Sequence, residues 1–195
     1  MKRLFDILSA FCVLILCLPV FLIVALAISL NSKGGIFYKQ ERIGKNGKVF
    51  KLYKFRSMYT GSDKKGLITI GEKDDRTTAV GRFLRKYKLD ELPQLINILR
   101  NEMSVVGPRP EVQKYVTLYT KAQQKVLSVK PGLTDLASLA YLNENEILGK
   151  AKDPNKVYIE EIMPKKLDLN LEYIEKQNFW FDLKIIFKTI GKILS

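Results

Sequence analysis

An uncharged apolar run over residues 7–30 constrains this chain more than any other feature of its sequence. As one continuous helix the run is about 36 Å long, which exceeds the roughly 30 Å hydrocarbon core of a bilayer. Pro19 lies at its centre, where it removes a backbone donor and its ring clashes with the preceding turn. The run therefore predicts a membrane segment that bends at Pro19.

Three arrangements of this segment compete. A cleavable signal peptide is suggested by the basic Lys2 and Arg3 and by small residues at 25–27, but the run is too long for its apolar core. A kinked spanning helix is compatible with the proline. A re-entrant hairpin over residues 1–32 keeps the basic residues before and after the apolar run on one side of the membrane. Each half of the run then has the length expected of a re-entrant segment. We favour the hairpin, with the kinked span as its close alternative.

Charge and composition exclude several classes of function. The chain has 33 Lys and Arg against 20 Asp and Glu, a net charge of +13, and no histidine. Hydrolases that use a histidine base are excluded, as are zinc sites built on His or on four Cys. Its two cysteines both lie inside the apolar run and do not form a disulfide framework. The strong basic balance predicts a polyanionic partner: nucleic acid, an anionic membrane, or phosphorylated molecules.

The remaining sequence predicts an α+β fold, mostly helical with a small β element. Short strands are expected at residues 36–38 and 48–55, around a turn at 44–47. A polar, glycine-containing loop is expected over residues 61–75, followed by a helix over 78–88. The predicted domains are a membrane hairpin at 1–32, a cytoplasmic catalytic domain at 33–178 and a C-terminal interfacial amphipathic helix at 179–195.

The last of these segments has two interpretations. It is strongly apolar, contains Trp180, and carries Lys184, Lys188 and Lys192 at intervals of four residues. A tryptophan with a lysine stripe is typical of a helix lying at a membrane interface. A helix packed on the domain is the alternative, and both can hold in part.

An acidic pair, Asp90-Glu91, precedes an apolar helical stripe. In one interpretation Asp90 caps that helix and Glu91 complements its dipole, with Pro93 in the first turn. In the other, the pair forms a nucleophile and metal-binding centre, because a carboxylate can attack phosphorus once cations screen the phosphate charge. Arg109 supports the second interpretation, since Pro108 and Pro110 stiffen its loop for a bidentate phosphate contact.

Four ordered motifs connect these residues to a known family. They are Lys54-Phe55-Arg56-Ser57-Met58, Gly81-Arg82-Phe83-Leu84-Arg85, Leu89-Asp90-Glu91-Leu92-Pro93-Gln94-Leu95 and Met103-Ser104-Val105-Val106-Gly107-Pro108-Arg109-Pro110. In this the chain resembles the bacterial sugar transferases, the monotopic polyprenyl-phosphate phosphoglycosyl transferases. The resemblance extends from the apolar segment to residues 130–132.

The resemblance implies an enzyme, an undecaprenyl-phosphate phosphosugar transferase of class EC 2.7.8.-. Such enzymes move a phosphosugar from a UDP-sugar to undecaprenyl phosphate and release UMP, the first membrane step of glycoconjugate and polysaccharide assembly. Asp90 would be the nucleophile that forms a phosphosugar–aspartyl intermediate, and Glu91 would assist. Magnesium would be bound at Asp90. The family's hairpin bends at a proline, which strengthens the expectation for Pro19.

The resemblance also implies the binding residues and the location. Arg109 and Arg85 would neutralise phosphate oxygens, and Lys54, Arg56 and Pro110 would lie near the substrates. The expected partners are a UDP-sugar, undecaprenyl phosphate and membrane lipids, without nucleic acid, at the cytoplasmic face of the bacterial inner membrane. A homodimer stays open. The alternative function is a membrane-tethered, non-catalytic polyanion-binding protein.

Two departures from the family pattern limit the transfer of detail. Leu18 precedes the proline where the family usually has serine, so the bend geometry is not fixed by analogy. Residues 135–146 differ from the common family sequence, and Asn143, Glu144 and Asn145 there are candidates for hydrogen bonds to the sugar. The sequence identifies neither the sugar nor the glycan pathway.

Overall fold

The computed structural model describes residues 1–62 and 74–194, so the loop predicted over residues 61–75 lies mostly outside the described residues. The α-helices are α1 (Lys2–Leu16), α2 (Leu18–Asn31), α3 (Ala79–Lys86), α4 (Gln94–Leu99), α5 (Gln113–Val116), α6 (Leu136–Ala140), α7 (Glu144–Lys150), α8 (Pro154–Val157), α9 (Met163–Lys176) and α10 (Phe179–Leu194). The strands are β1 (Phe37–Ile43), β2 (Val49–Phe55), β3 (Ser104–Val106) and β4 (Gly132–Thr134). The expected α+β fold, dominated by helices, is confirmed.

The apolar run is two helices with a sharp bend. α1 ends at Leu16, α2 begins at Leu18, and the two axes are bent by 61°. Pro19 lies in the first turn of α2, where its missing N–H has no helical partner to lose. In the described part of the chain no single helix has the length and apolarity to cross a bilayer, while this bent pair meets that test by length and composition. The predicted bend at Pro19 is confirmed.

The two helices bury one face and expose the other. Ala10, Val24 and Ile28 are buried against the rest of the protein. The opposite faces carry large apolar side chains that are more than half exposed: Leu4, Leu8, Phe11, Ile15, Leu16, Leu18, Leu22, Ile23, Leu26 and Leu30. A contiguous exposed apolar surface of this kind is characteristic of contact with a membrane or a partner.

Buried polar contacts fasten the beginning of α1 to the domain. Asp6 is buried and accepts hydrogen bonds from the Ser104 hydroxyl at 2.8 Å and from the Val105 amide at 3.0 Å. Lys2 forms an ion pair with buried Asp182 of α10 and donates to the Val106 carbonyl at 3.0 Å. The position of the bent pair relative to β3 is therefore fixed by two buried carboxylates, one hydrogen-bonded to neutral donors and one ion-paired with the half-buried Lys2.

β1 and β2 form an antiparallel hairpin whose register runs from Phe37 opposite Phe55 to Ile43 opposite Val49. The predicted turn at 44–47 is present, with Asn46 and Gly47 in the left-handed region at φ values of 57° and 74°. The first strand is longer than predicted, because β1 continues to Ile43. The charged residues of β1 had obscured this, although alternating burial shows a strand with one solvated face.

The chain between α3 and α4 departs from the capping interpretation of Asp90. α3 starts after Thr78, whose hydroxyl accepts from the Gly81 amide at 2.9 Å, and it ends before Lys88, which has a φ of 55°. Residues Leu89–Glu91 then form a 3₁₀ turn, and α4 begins only at Gln94. No side-chain capping bond is made at either start, so Asp90 does not cap a helix.

The parallel pair β3–β4 was not expected from the sequence. Its strands are short and distant in the chain, and the backbone at Gly107, directly after β3, closely approaches Gly132 of β4. A Cβ atom on Gly132 would lie 2.1 Å from the Gly107 nitrogen, so only glycine allows this approach. This close approach fixes the backbone two residues before Arg109.

α10 is both packed and exposed. Asp182 and Ile185 are buried against the domain, whereas Trp180 is 77% and Phe187 69% exposed. One face of α10 packs on the domain, as one sequence interpretation expects, and an apolar face remains uncovered. Whether that face lies on a membrane stays a prediction.

Candidate active site

Asp90 and Glu91 lie together on the 3₁₀ turn that follows α3. The left-handed Lys88 reverses the chain, which directs both carboxylates inward rather than along a helix. Both residues are buried, with 6% and 9% of their surface exposed. Two adjacent buried carboxylates need compensating charge, because a buried ion without a partner is strongly destabilising.

Glu91 obtains that compensation from two cations. Lys54 of β2 donates to its Oε1 at 3.0 Å, and Arg109 contacts both oxygens, one of them at 3.2 Å. Burial alone would raise the pKa of Glu91, but Arg109 and then Lys54 hold it well below its ordinary value. Conversely, Glu91 raises the pKa of Arg109. At neutral pH Glu91 is therefore an ionised anchor for two basic side chains.

Asp90 is in a different state. Among the residues that the structure describes, no side chain or amide donates a hydrogen bond to its carboxylate. Burial raises its pKa, with Glu91 adding to the rise, while Lys54 and Arg85 act in the opposite direction. Asp90 thus combines burial, nearby positive charge and an unengaged carboxylate, the combination expected of a group that reacts with an anionic phosphate.

The loop that carries Arg109 is held by a buried network behind it. Glu111 accepts hydrogen bonds from the Tyr158 hydroxyl, from the Val112 amide at 3.1 Å and from Arg42 at 3.5 Å. Arg42 also donates to the Pro110 carbonyl at 3.0 Å. Burial lowers the pKa of Arg42, and Glu111 opposes that change. Pro110 therefore contributes its carbonyl to the support of the Arg109 loop.

Sequence reasoning missed Arg42, Glu111 and Tyr158 as parts of the site. Arg42 belongs to none of the motifs, and Glu111 follows the Arg-Pro motif without a motif of its own. Tyr158 lies 47 residues further along the chain. No local pattern in the sequence indicates that these three side chains meet.

Arg56 is used differently from the other expected binding residues. Its guanidinium donates to the carbonyls of Ser32 at 2.8 Å and Gly35 at 2.6 Å, and to the Ser32 hydroxyl at 2.6 Å. Those groups lie at the C-terminal end of α2, where unpaired carbonyls attract a cation. A role for Arg56 in binding substrate stays a prediction, and its observed contacts are with the end of the bent helix pair.

Two cavities open beside Asp90. The larger has a volume of about 570 Å³ and the smaller about 410 Å³. The residues that line both are Arg42, Lys54, Arg85 and Asp90. Glu91 and Arg109 line only the larger one. The structure thus brings together Lys54, Arg85, Asp90, Glu91 and Arg109, and Asp90 lies where two substrate-sized spaces meet.

The atypical segment at 135–146 also reaches this region. Glu144 and Asn145 at the start of α7 line the larger cavity, and Lys166 of α9 forms an ion pair with Glu144 at 2.7 Å. Asp135 is buried and caps α6 by accepting from the Ser138 amide, so it is a structural residue. Asn143 does not line either cavity among the described residues.

The whole chain, residues 1–195, matches the family model of the bacterial sugar transferase, and the protein belongs to that family. The expectation from the sequence motifs is therefore confirmed. The match covers the apolar run, the acidic pair and the C-terminal helix.

Curated relatives carry more specific names. UDP-glucose:undecaprenyl-phosphate glucose-1-phosphate transferase of Escherichia coli (strain K12) is 38% identical over 98% of this chain and 40% of its own length. A UDP-N-acetylgalactosamine-undecaprenyl-phosphate N-acetylgalactosaminephosphotransferase of Aeromonas hydrophila is 35% identical over all of this chain and 44% of its own length. The uncharacterized sugar transferase EpsL of Bacillus subtilis (strain 168) is 40% identical over 87% of its length. The chain thus spans about two-fifths of the first two relatives.

Proposed function

We propose that this chain is a phosphoglycosyl transferase that moves a sugar 1-phosphate from a UDP-sugar to undecaprenyl phosphate and releases UMP. The observation that carries the proposal is the buried, unengaged Asp90 carboxylate beside Lys54, Arg85 and the Arg109–Glu91 pair. The relatives named as UDP-sugar:undecaprenyl-phosphate transferases support the substrate classes. In this role the protein catalyses the first membrane step of glycoconjugate assembly.

The first step is attack by the Asp90 carboxylate on the sugar-bearing phosphorus of the donor. A bond forms between an Asp90 oxygen and that phosphorus, and the bond to the bridging oxygen breaks. UMP leaves with the electron pair, and the sugar phosphate stays on Asp90. Arg85 and Arg109 stabilise the charge on the phosphate oxygens, which is the main requirement of phosphoryl transfer.

The second step reverses the first with a new nucleophile. An oxygen of the lipid phosphate attacks the same phosphorus, the aspartyl bond breaks, and the Asp90 carboxylate is restored. In-line displacement requires attack from the side opposite Asp90, which is the side that UMP has left. Donor and acceptor phosphates therefore use one position in turn, and the reaction proceeds by a ping-pong route.

Glu91 acts by positioning. Its two oxygens hold Lys54 and Arg109, so that both cations keep a fixed place beside Asp90. A preorganised cation needs no rearrangement when charge develops on the phosphate. Glu91 is thereby a positioning residue, and Asp90 is the catalytic one.

Magnesium is compatible with this donor set. The described residues hold no group of three or more Asp, Glu, His or Cys that could bind a metal unaided. Mg²⁺ at phosphate-transferring sites usually binds through one or two carboxylates and the substrate phosphates. Asp90 offers a carboxylate for this purpose, whereas the Glu91 oxygens already contact Lys54 and Arg109. When bound, the ion would neutralise negative charge on the diphosphate. Asp90 would be its protein ligand.

The bent helix pair supports placement in one membrane leaflet. α1 and α2 have 15 and 14 residues, so each is about 21–22 Å long. With both legs inclined equally, a bend of 61° raises the apex only about 11 Å above their ends, less than the roughly 15 Å depth of one hydrocarbon leaflet. In this orientation the pair fits within one leaflet as a re-entrant hairpin, which would leave residues 33–178 and 179–195 on the cytoplasmic face of the inner membrane; the kinked span is the alternative.

The test is a reconstituted reaction. The purified chain with Mg²⁺, undecaprenyl phosphate and a panel of UDP-sugars should release UMP with at least one sugar, and Asp90→Asn should abolish the release. Asp168→Asn, an exposed aspartate of α9 outside both cavities, is the matched control and should retain activity. Absence of UMP release with every donor, with retained binding of anionic vesicles, would favour the non-catalytic polyanion-binding alternative.

A second experiment tests the topology. Epitope tags at the two termini should both be protected from protease in intact spheroplasts and cleaved after lysis. A tag at the N-terminus that is cleaved in intact spheroplasts would contradict the hairpin and favour the kinked span.

A further inference from the structure

The mouth of the larger cavity is apolar although its inner end is charged. Four lining residues that are 36–49% exposed come from three separate parts of the chain: Tyr87 after α3, Leu142 between α6 and α7, and Ile190 and Ile193 of α10. Exposed apolar side chains scattered singly need no explanation, but four converging on one opening indicate an apolar ligand.

The inner end of the same cavity has the opposite character. The buried or half-buried Asp90, Glu91, Arg85 and Arg109 line it, whereas Lys88 is the one charged side chain among the exposed residues of the described lining. Ile186 of α10 and Leu139 of α6 also line the larger cavity. A cavity with cations at one end and aliphatic side chains at the other is complementary to a single-headed amphiphile with an anionic head and a long hydrocarbon chain.

The smaller cavity lacks this character. Its described lining contains aromatic, hydroxyl and basic side chains, such as Tyr38, Tyr59, Ser57 and Arg76, and no Leu, Ile or Val. Apart from Met58, Phe37 and Phe55, its described lining is polar, so branched aliphatic side chains are available beside Asp90 only on the side of the larger cavity, within the described residues.

The apolar mouth continues onto the uncovered face of α10. Ile190 follows Phe187 by one turn, and Phe187 is 69% exposed without lining either cavity. Lys184 and Lys188 are exposed on the same helix, where they can contact anionic headgroups. A chain that leaves the cavity between Leu142 and Ile190 would meet this face directly.

We infer that the larger cavity binds the first isoprene units of the acceptor lipid, with its phosphate at Asp90 and its chain leaving past Tyr87, Leu142, Ile190 and Ile193. The inference rests on the proposed function and adds to it the path of the lipid. α10 then has a second role beyond packing, since it forms one wall of the acceptor site.

The experiment compares Ile190→Gln and Leu142→Gln with two controls of the same chemistry. Phe187→Gln changes a more exposed residue on the same helix, and Leu118→Gln changes a residue that is 48% exposed and lines neither cavity. All four proteins are reconstituted in nanodiscs without undecaprenyl phosphate and in nanodiscs with increasing amounts of it. Two quantities are measured: the UMP burst without acceptor, and the acceptor concentration that gives half-maximal turnover.

Ile190→Gln and Leu142→Gln should each raise the half-saturating acceptor concentration about tenfold, as loss of one aliphatic contact does in an apolar pocket. The controls should change it by less than twofold. Wild-type protein should also prefer undecaprenyl phosphate over a ten-carbon isoprenyl phosphate, and Ile190→Gln should reduce that preference. Chain-length preference is a readout that a general loss of stability does not alter selectively.

Three outcomes overturn the inference, and they are distinguishable. Equal effects of Ile190→Gln and Phe187→Gln, with parallel loss of vesicle binding, would mean that the face of α10 only docks on the bilayer. A reduced UMP burst with unchanged acceptor dependence would assign the cavity to the nucleotide donor. A wild-type chain without any UMP burst would overturn the proposed function itself, which the burst assay detects before any variant is compared.

Discussion

Asp90 and Glu91 are neighbours in the chain, yet their surroundings differ in kind. The Glu91 carboxylate is fully engaged: Lys54 and Arg109 pair with it, and the Arg42–Glu111–Tyr158 network supports the loop that carries Arg109. The Asp90 region opens onto two cavities and provides positive charge without a hydrogen bond from the described residues. Stability is concentrated on one carboxylate and reactivity on the other, so substitutions at the two positions should have opposite profiles.

The largest effect on activity should come from Asp90→Asn. Loss of the nucleophile should reduce UMP release by about 10³-fold or more, because the other described carboxylates that line the cavities, Glu91, Glu111 and Glu144, are all paired. The thermal midpoint should stay unchanged or rise, since the variant removes a buried carboxyl without partners. Initial-rate assays and thermal unfolding on the same preparation measure both, and a marked loss of stability would contradict the comparison.

Glu91→Gln should have the largest effect on stability. The substitution leaves Lys54 and Arg109 near each other without their shared anion, and breaking a buried pair in this way costs about 3 kcal/mol. This value is the lower end of the usual range for a broken buried pair, about 3–5 kcal/mol, and we expect it because the Arg109 side chain is 32% exposed. Denaturant titration should register the loss, and activity should fall with a raised KM for the donor. Stability equal to that of Asp90→Asn would remove the distinction.

The pH dependence should separate the same two groups. Glu91 has a pKa below its ordinary 4.5, so its contribution to stability is present above that pH and is lost as the pH falls through the lower value. Asp90 has a pKa above its ordinary 3.8, so its contribution is greatest below 3.8 and declines as the pH rises through the raised value.

Two variants test these signs. Glu91→Gln should remove the loss of stability on acidification, and Asp90→Asn should remove the decline on the alkaline side of 3.8. The wild-type UMP burst should increase with pH as Asp90 ionises, since the carboxylate is the nucleophile. A burst that falls over the same interval would contradict the assignment of Asp90.

The smallest effect should come from Tyr158→Phe. The variant removes the donor to Glu111 and retains the ring, so stability should fall by about 1 kcal/mol. Because Glu111 and Arg42 support the Arg109 loop, UMP release should fall a few-fold with unchanged acceptor dependence. Tyr119→Phe, a buried tyrosine of the same cluster without a side-chain hydrogen bond in the described residues, is the control.

The sequence predicts features that depend on short stretches of chain. The bend at Pro19 follows from one missing donor, and the hairpin turn follows from Gly44, Asn46 and Gly47. The acidic pair and Arg109 were identified as site residues from their motifs. The strand β1 was predicted too short, because its alternating charges resemble a loop when the partner strand is unknown.

Other features depend on contacts between distant segments. The close approach of Gly107 and Gly132 joins positions 25 residues apart, and Tyr158 donates to Glu111 across 47 residues. Neither position has a distinctive local pattern. The assignment of Arg56 relied on its place in a family motif, whereas its contacts with the end of α2 depend on the tertiary position of that helix.

Strand β2 connects the helix pair to the reacting group. Lys54 and Arg56 project two residues apart, about 7 Å along the strand, and one contacts Glu91 while the other contacts the end of α2. The Arg56 amide donates to the Ile36 carbonyl at 2.8 Å, so the ladder continues over this stretch. A hydrogen-bonded strand does not stretch, so β2 fixes the distance between the end of α2 and Glu91. With the hairpin in the bilayer, the height of Asp90 above the lipid is constant, and it is the acceptor phosphate that must rise to meet it.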